Sequence, residues 1–379
     1  MARKLASIVE IESCEPIPDT DRLSVATMKG KGWRVVTGRD EFKPGNLACY
    51  FEIDSFIRAD DPRYEFLRDR CLRKFVSKGG NVLREGIRIK TCKLRGVVSQ
   101  GLLMPLSKFP EVTDNILWNA EKRCDEWIDG SSPVGQDVTD ILHVEHYDEV
   151  KERLQPAMGN PIAAEAMGNF PSAYVPKTDE PRLQGLTEYF ETMKGRLFEV
   201  TEKRDGSSIS FGYCPMIDRE NPFMVCSRNL RLKPVKADGT VPMMWQLVNK
   251  MGLEEKCRRC PNLMFQAEFC GMGVNGNRDR LNEYTIEVFR VYNVETQLFI
   301  EAETRRRLCA EMGVPHVPVI DPALDVFNRF HTMDEILAYA DGKTARGNPR
   351  EGLVFKEIGT MHPISYKVVS NMYLLSEKD

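Results

Sequence analysis

Over roughly the first 110 residues, short apolar runs alternate with turn signals. SIVEI, LSVATM, WRVVTG, LACYFEI and SQGLLMPL are separated by PIPDTD, KGKG, FKPGN and KGGN. Runs of this length bounded by Gly, Pro, Asn and Asp predict short strands that close into a small barrel or sandwich. A five-stranded OB barrel fits the length, and such barrels commonly hold single strands or ends of nucleic acid. Fold alone does not assign that use. A loop-rich acidic stretch follows at 121–140. HYDEVKERLQ then has helical spacing, and PAMGNPIAAEAMGNFPSAYVPKTDEP, rich in Pro, Gly and small residues, reads as an inter-domain connection.

From Leu197 onward the two periods mix. LFEVTEK, SISFGY, LMFQAEF, YTIEVFRVYNV, GLVFKE and ISYKVV read as strands, and VPMMWQLVNKM, ETRRRLCAEMG and TMDEILAYA read as helices. The expected architecture is α+β with two domains: an OB-like nucleic-acid-binding domain with extensions over 1–150, a linker and the start of the next domain over 151–195, and an α+β domain over 196–379.

Composition changes this picture little. With 379 residues, 42 % apolar and 29 % charged, the chain is long enough for two folded domains. No apolar run approaches the roughly 20 residues of a membrane span. The start, MARKLASIVEIES, does not read as a secretory signal, so an intracellular setting is expected, cytoplasmic by default, with nucleus and organelles open. The eleven cysteines, in no repeating spacing, suit a reducing compartment. Cys257 and Cys260 form a lone CxxC, a weak zinc signal that reads better as loop thiols. A net charge of −3 does not by itself imply a nucleic-acid partner. The region from Arg68 to Arg95, however, holds ten basic residues against Asp69 and Glu85. It can neutralise phosphates or serve as a solvated face.

The sharpest chemical feature is Glu202-Lys203-Arg204-Asp205-Gly206-Ser207-Ser208. A lysine that ends an apolar strand and is followed by an acid, a glycine and hydroxyls suits a positioned nucleophile, with the glycine letting phosphate approach the backbone. The tetrapeptide alone reads better as a β-hairpin turn. Companions follow in order: Cys226-Ser227-Arg228-Asn229; Gln266-Ala267-Glu268-Phe269, with a carboxylate inside an apolar strand; Glu287-Val288-Phe289-Arg290, with an aromatic able to stack on a purine; Glu351-Gly352-Leu353-Val354-Phe355-Lys356; and Ser365-Tyr366-Lys367.

The series KRDG, SRN, QAEF, EVFRVY, EGLVFK and SYK resembles the six motifs of the covalent nucleotidyltransferases, the DNA ligases, RNA ligases and mRNA capping enzymes. The upstream segments PIPDTDRL…FI, IRIKTCKLRGVVSQGLLMPL and KTDEPRLQ resemble the fifth family of ATP-dependent RNA ligases, which place an OB domain before the nucleotidyltransferase domain. The resemblance implies a C-terminal ATP-grasp-like adenylation domain of antiparallel sheets with flanking helices. It also implies ATP as co-substrate and Mg²⁺ or Mn²⁺ as cofactor. The partner it implies is RNA or a nicked nucleic-acid duplex, with no membrane and no obligate protein partner.

Carried over by position, Lys203 would form the lysyl–AMP, and Asp205 and Glu351 would hold the metal partly through water. Glu268 would accept from the ribose, Phe289 would stack on adenine, and Lys356 and Lys367 would contact the α-phosphate. Arg182 and Arg228 would engage phosphates, and Glu202 lies in the nucleotide-binding set. Two departures stand out. Ser365 occupies the place of the first lysine of a K-x-K motif, and Ser208 the place of an arginine common in DNA ligases, which disfavours a DNA ligase.

Three readings remain open at this level: an RNA ligase that seals 3′-hydroxyl/5′-phosphate breaks, a DNA ligase or capping-type transferase, and a non-catalytic OB-fold RNA-binding protein. Two further motifs are set aside. Gly271-Met272-Gly273-Val274-Asn275-Gly276 spells G-x-G-x-x-G, but NRDRLNEY after it has no helical periodicity and reads as a loop near the active site. Asp341-Gly342-Lys343-Thr344 resembles a P-loop end but reads as a helix terminus.

Overall fold

A computed structural model describes residues 4–114, 133–154, 157–159, 166–187, 190–277, 279–344 and 346–376. The chain divides into two compact units, one of residues 1–160 and 184–188, the other of 161–183 and 189–379. Most of the acidic loop at 121–140 lies outside the described residues.

The N-terminal unit contains β1 (Ala6–Pro16), β2 (Leu23–Met28), β3 (Lys31–Gly38), β4 (Leu47–Phe51), β5 (Ser55–Ile57), β6 (Leu72–Val76), β7 (Val82–Arg88), β8 (Cys92–Leu94), β9 (Val97–Ser99), β10 (Leu102–Pro105), β11 (Glu145–His146) and helix α1 (Tyr147–Leu154). Five strands form a sheet in the order β10-β4-β1-β2-β3, and β11-β5-β7-β6 form a second. β1 explains the curl. Ala6–Glu10 pair with β4, Ile11–Pro16 pair with β2, and the register shifts between Ile11 and Ser13. Such a shift bends a strand and raises its twist, so one long strand serves both sides of a half-barrel. Alternation is clean on β3, where Trp33 and Val35 are buried and Arg34 is exposed. The core is aromatic at its centre, with Phe51 against Tyr64 and Phe109.

The C-terminal unit contains β12 (Ala166–Asn169), β13 (Phe198–Lys203), β14 (Ser207–Tyr213), β15 (Phe223–Ser227), β16 (Leu230–Leu232), β17 (Leu263–Cys270), β18 (Thr285–Asn293), β19 (Leu298–Phe299), β20 (Val319–Leu324), β21 (Gly352–Glu357) and β22 (Ser365–Val369). Its helices are α2 (Met243–Lys250), α3 (Leu253–Arg258), α4 (Ala302–Met312), α5 (Met333–Ala340) and α6 (Asn371–Ser376). Seven strands form one antiparallel sheet, β12-β16-β15-β14-β17-β18-β19, and four form another, β20-β13-β21-β22. The first packs Phe211, Phe265 and Val288 against Trp245, Cys257 and Met312 from the helices. The second is anchored by Phe198, Phe327, Phe355 and Tyr366, whose rings meet edge to face, tilted or stacked.

Two local expectations are corrected. Part of the Pro/Gly-rich connection is a strand, because β12 pairs with β16 at the edge of the large sheet. Cys257 is not a loop thiol but a fully buried core residue of α3, and Cys260 follows directly after that helix. The Asp341-Gly342 segment ends a helix as expected, with Asp341 capping α5. Among the described residues no helix is long and apolar enough to cross a membrane.

Gly86 on β7 faces the Phe56 ring, and a Cβ there would lie 2.3 Å from Phe56 Cζ. Phe56 packs against Phe75 and Tyr147, so it has little room to yield. Gly86→Ala is therefore expected to destabilise the N-terminal unit by about 1–3 kcal/mol in urea unfolding. An unchanged midpoint would contradict the packing described.

Candidate active site

β13 belongs to the four-stranded sheet and β14 to the seven-stranded one. Arg204-Asp205-Gly206 therefore carries the chain from one sheet to the other and is not the turn of a hairpin. The crossover sets Lys203 at the end of a strand whose preceding residues are buried. Lys203 pairs with Gly352, which brings the preceding residue, Glu351, beside the amine. Glu351 Oε1 forms an ion pair with Lys203 Nζ. Across the crossover, β14 pairs Ser208 with Glu268 on β17.

The residue types explain the electrostatics. Burial disfavours the Lys203 ammonium, but Glu351 first and then Glu268 and Asp205 outweigh it and hold the lysine above its usual value. Burial pushes the Glu268 carboxyl up to about 8, with Glu351 and Asp205 adding to the shift and Lys203 opposing it. Three carboxyl groups thus face one ammonium, an excess of negative charge that grows as Glu268 ionises. Among the described residues no group of three or more His, Cys, Asp or Glu side chains converges as a metal cage.

Gly206 has a reason other than phosphate approach. A Cβ there would lie 2.6 Å from the Phe269 carbonyl oxygen and 2.7 Å from Glu268 Cγ. Only glycine lets β17 pass close enough to present Glu268. Arg204, 9 % exposed, is pinned by Glu202 at 2.5 Å, Asp279 at 2.6 Å and Glu287 at 2.9 Å. The Glu202 side chain is thereby committed to Arg204. The loop after β17 is tied down from the same side, since Asn275 Nδ2 donates to the Gly206 carbonyl and Asp279 meets Arg204. The G-x-G-x-x-G segment is thus a loop at the site.

A segment upstream of β13 lies along β22. The Lys367 N–H donates to the Pro181 carbonyl at 2.9 Å, and Arg182 bridges Lys367 in parallel. Gln266 Nε2 donates to the Pro176 carbonyl at 2.8 Å, so the segment 176–182 spans both sheets. It carries Asp179, whose Oδ1 lies 2.9 Å from Lys367 Nζ and whose Oδ2 lies 3.6 Å from Arg228 Nη2. Burial lowers the Lys367 ammonium; Asp179 opposes this, and Lys203 and Arg182 add to it. Lys203, Arg182, Lys367 and Arg228 thus gather around one place.

Lys356 stands apart. It pairs with Glu199, at the far end of β13 from Lys203, four residues or about 13 Å along the strand. Its Nζ donates to the Phe289 carbonyl at 2.8 Å and lies 5.6 Å from the Phe289 ring centroid. Burial, then Arg305 and Arg290, push its ammonium down to about 7. Glu199 beneath it is gripped by Arg305 and Arg306. The structure therefore associates Lys356 with the half-buried Phe289. Sequence reading passed over Asp179, Asp279 and Glu287. Asp179 lies in the same KTDEPRLQ as Arg182, whereas the other two gain meaning only through Arg204.

A strand-end lysine at a sheet crossover, ringed by carboxylates and flanked by cations, is an arrangement suited to a positioned amine and an anionic ligand. The model of an OB-fold domain matches residues 5–106 and that of RNA ligase matches residues 196–369. No curated protein sequence matches the chain. Among solved structures, a mutant of the Naegleria gruberi RNA ligase with ATP and Mn is 31 % identical, with a TM-score of 0.80 and 100 % of each chain covered. Another mutant of that ligase, with AMP and Mn, is 30 % identical, with a TM-score of 0.79 and 98 % of each chain covered. The same ligase with PPi is 31 % identical, with a TM-score of 0.77 and 98 % of each chain covered. The chain belongs to the family of ATP-dependent RNA ligases that carry an OB-fold domain ahead of the nucleotidyltransferase domain.

A carboxyl whose pKa rises from 4.5 to about 8 on folding binds its proton more tightly in the native state. The stability it contributes is full below pH 4.5 and is lost as pH rises towards 8. With EDTA present, Glu268→Gln is expected to flatten the decline of the thermal midpoint across that window. Parallel curves for the two proteins would contradict the environment assigned to Glu268.

Proposed function

We propose that the protein seals RNA breaks bearing 3′-hydroxyl and 5′-phosphate ends, nicks in duplexes above all, through a covalent AMP on Lys203. The observation that carries this reading is Lys203 at the sheet crossover, between the carboxylates Glu351 and Glu268 and the cations Lys367 and Arg182. Lys203 Nζ, freed of a proton, attacks the α-phosphorus of ATP; the N–P bond forms as the bond to pyrophosphate breaks. An oxygen of the RNA 5′-phosphate then attacks the adenylyl phosphorus, forming a P–O–P bond as the N–P bond breaks and the lysine amine is regained, and the 3′-hydroxyl displaces AMP as the phosphodiester forms. The protein contributes chiefly by holding the reacting groups and neutralising phosphate charge.

Asp205 and Glu351 are the residues that would hold Mg²⁺ or Mn²⁺, with water completing the shell. The excess of carboxylate over ammonium charge suits a cation there, as does the Mn held by the Naegleria relatives. A bound ion would offset the charge that keeps Lys203 protonated and would draw electron density from the phosphorus. Glu268 accepts from the ribose and Phe289 stacks on the adenine. Lys356 fixes that platform through its carbonyl. Lys367, Arg182 and Arg228 take the phosphates, with Ser365 supplying no second lysine. Residues 1–150 serve the nucleic acid, 151–195 lead into the catalytic domain and 196–379 carry out the chemistry. The ten described cysteines are free, which suits action in the reducing interior of the cell.

Within the basic stripe several charges are already engaged. Arg68 and Lys74 meet Glu85, Arg84 meets Glu145, and Arg88 meets Asp54. Among the described residues Arg70, Lys78, Lys93 and Arg95 are exposed and have no ion pair, so these four are the ones offered to phosphate. Reversing them to Glu is expected to weaken RNA binding and to reduce its salt slope by up to about 0.9 for each phosphate no longer neutralised. Label transfer from α-labelled ATP to Lys203 should persist, whereas label transfer onward to a nicked RNA duplex should fall. Loss of the first step with RNA binding intact would overturn this division of labour. A wild-type protein that accepts label but passes it to no RNA end would overturn the ligase reading.

A further inference from the structure

The two cations that the proposed function assigns to nucleotide phosphate, Lys367 and Arg228, are joined by a single carboxylate. Asp179 presents Oδ1 to Lys367 Nζ at 2.9 Å and Oδ2 to Arg228 Nη2 at 3.6 Å. Two oxygens of one anion, each turned to a different cation, are what one phosphoryl group would present in the same place. We propose that Asp179 is a built-in stand-in for a phosphoryl group of the nucleotide, occupying its subsite until ATP displaces it.

The surroundings fit a side chain made to leave. The Asp179 side chain is 57 % exposed, so swinging out regains water at little cost. The chain that bears it stays fixed, because Pro176 and Pro181 are hydrogen-bonded through their carbonyls to Gln266 and to the Lys367 N–H on either side. Neighbouring Glu180 faces Arg290, 3.7 Å away, and holds the same segment from the large sheet. Only the Asp179 side chain needs to rotate. Its charge also has a use before ATP arrives. Lys203 and Arg182 both act against the Lys367 ammonium, while Asp179 supports it. With the carboxylate in place, the cluster of cations stays charged and ordered, and the entering phosphate trades one anion for another.

This inference rests on the assignment of Lys367 to phosphate, so the test separates the two. The probes are α,β-methylene ATP, which Lys203 cannot cleave, adenosine, and matched RNAs with 5′-phosphate or 5′-hydroxyl ends. Binding of each is titrated against wild type, Asp179→Asn, Lys367→Ala and the double variant. Asp179→Asn should bind the ATP analogue about three- to fivefold more tightly, the scale of an exposed ion pair. Adenosine, and the preference for a 5′-phosphate on RNA, should not change. The gain should shrink in the Lys367→Ala background, since the two residues act on one another. Unchanged or weaker analogue binding in Asp179→Asn would overturn the proposal and make Asp179 a residue that merely orients Lys367. A gain confined to 5′-phosphorylated RNA would overturn the assignment to the nucleotide. If Lys367→Ala alone leaves analogue binding untouched, it is the phosphate role of Lys367 that fails, whatever Asp179 does.

Discussion

The catalytic unit depends on holding a lysine ammonium, largely out of water, where two sheets meet. An ammonium in such a place is costly unless carboxylates surround it, and here Glu351 touches it while Glu268 and Asp205 add their fields. Each carboxylate comes from a different part of the chain: the residue before β21, the C-terminal part of β17 and the crossover itself. The charge of Lys203 thus couples the two sheets, and the carboxylates around it hold it as an ammonium. In the reaction proposed for it, cations and phosphates would alter that balance.

The packing around the crossover serves that constraint. Arg204 is caged by three carboxylates, and Gly206 admits the Phe269 backbone at a distance no Cβ would allow. Between them they fix the two residues on either side of Asp205. A second charge network, Glu199 with Arg305 and Arg306 and with Lys356 on Phe289, lies at the other end of β13 and β21. The two strands therefore carry Lys203 among its carboxylates at one end and Lys356 on Phe289 at the other, and the proposed nucleotide would lie along them.

Much of this was legible in the chain. The strand periods around Lys203, Glu268, Phe289 and Lys367 are strong because each strand is buried on at least one face, and the helices over 243–250, 302–312 and 333–340 show their spacing plainly. Pairing between sheets was not legible. Nothing local in KRDGSS tells a hairpin from a crossover, since both need a tight turn and a strand on each side. The place of Lys356 opposite Glu199, away from Lys203, was not legible for a related reason, because the order of motifs along the chain does not show how far along a strand a side chain stands. Asp179, Asp279 and Glu287 were passed over because an acid shows its use only when its cation is in view. The curl of β1 depends on a register shift that the alternation of SIVEI does not reveal.

The central claim is that Lys203 becomes covalently bonded to AMP. The most direct measurement is the intact mass of wild type and of Lys203→Ala after incubation with ATP and Mg²⁺, followed by peptide mapping. The account predicts a mass gain of one adenylyl group in the wild type, placed on the peptide that contains Lys203, and no gain in the variant. A modified wild type whose adenylyl group maps to another residue, or a variant that gains the same mass, would contradict it.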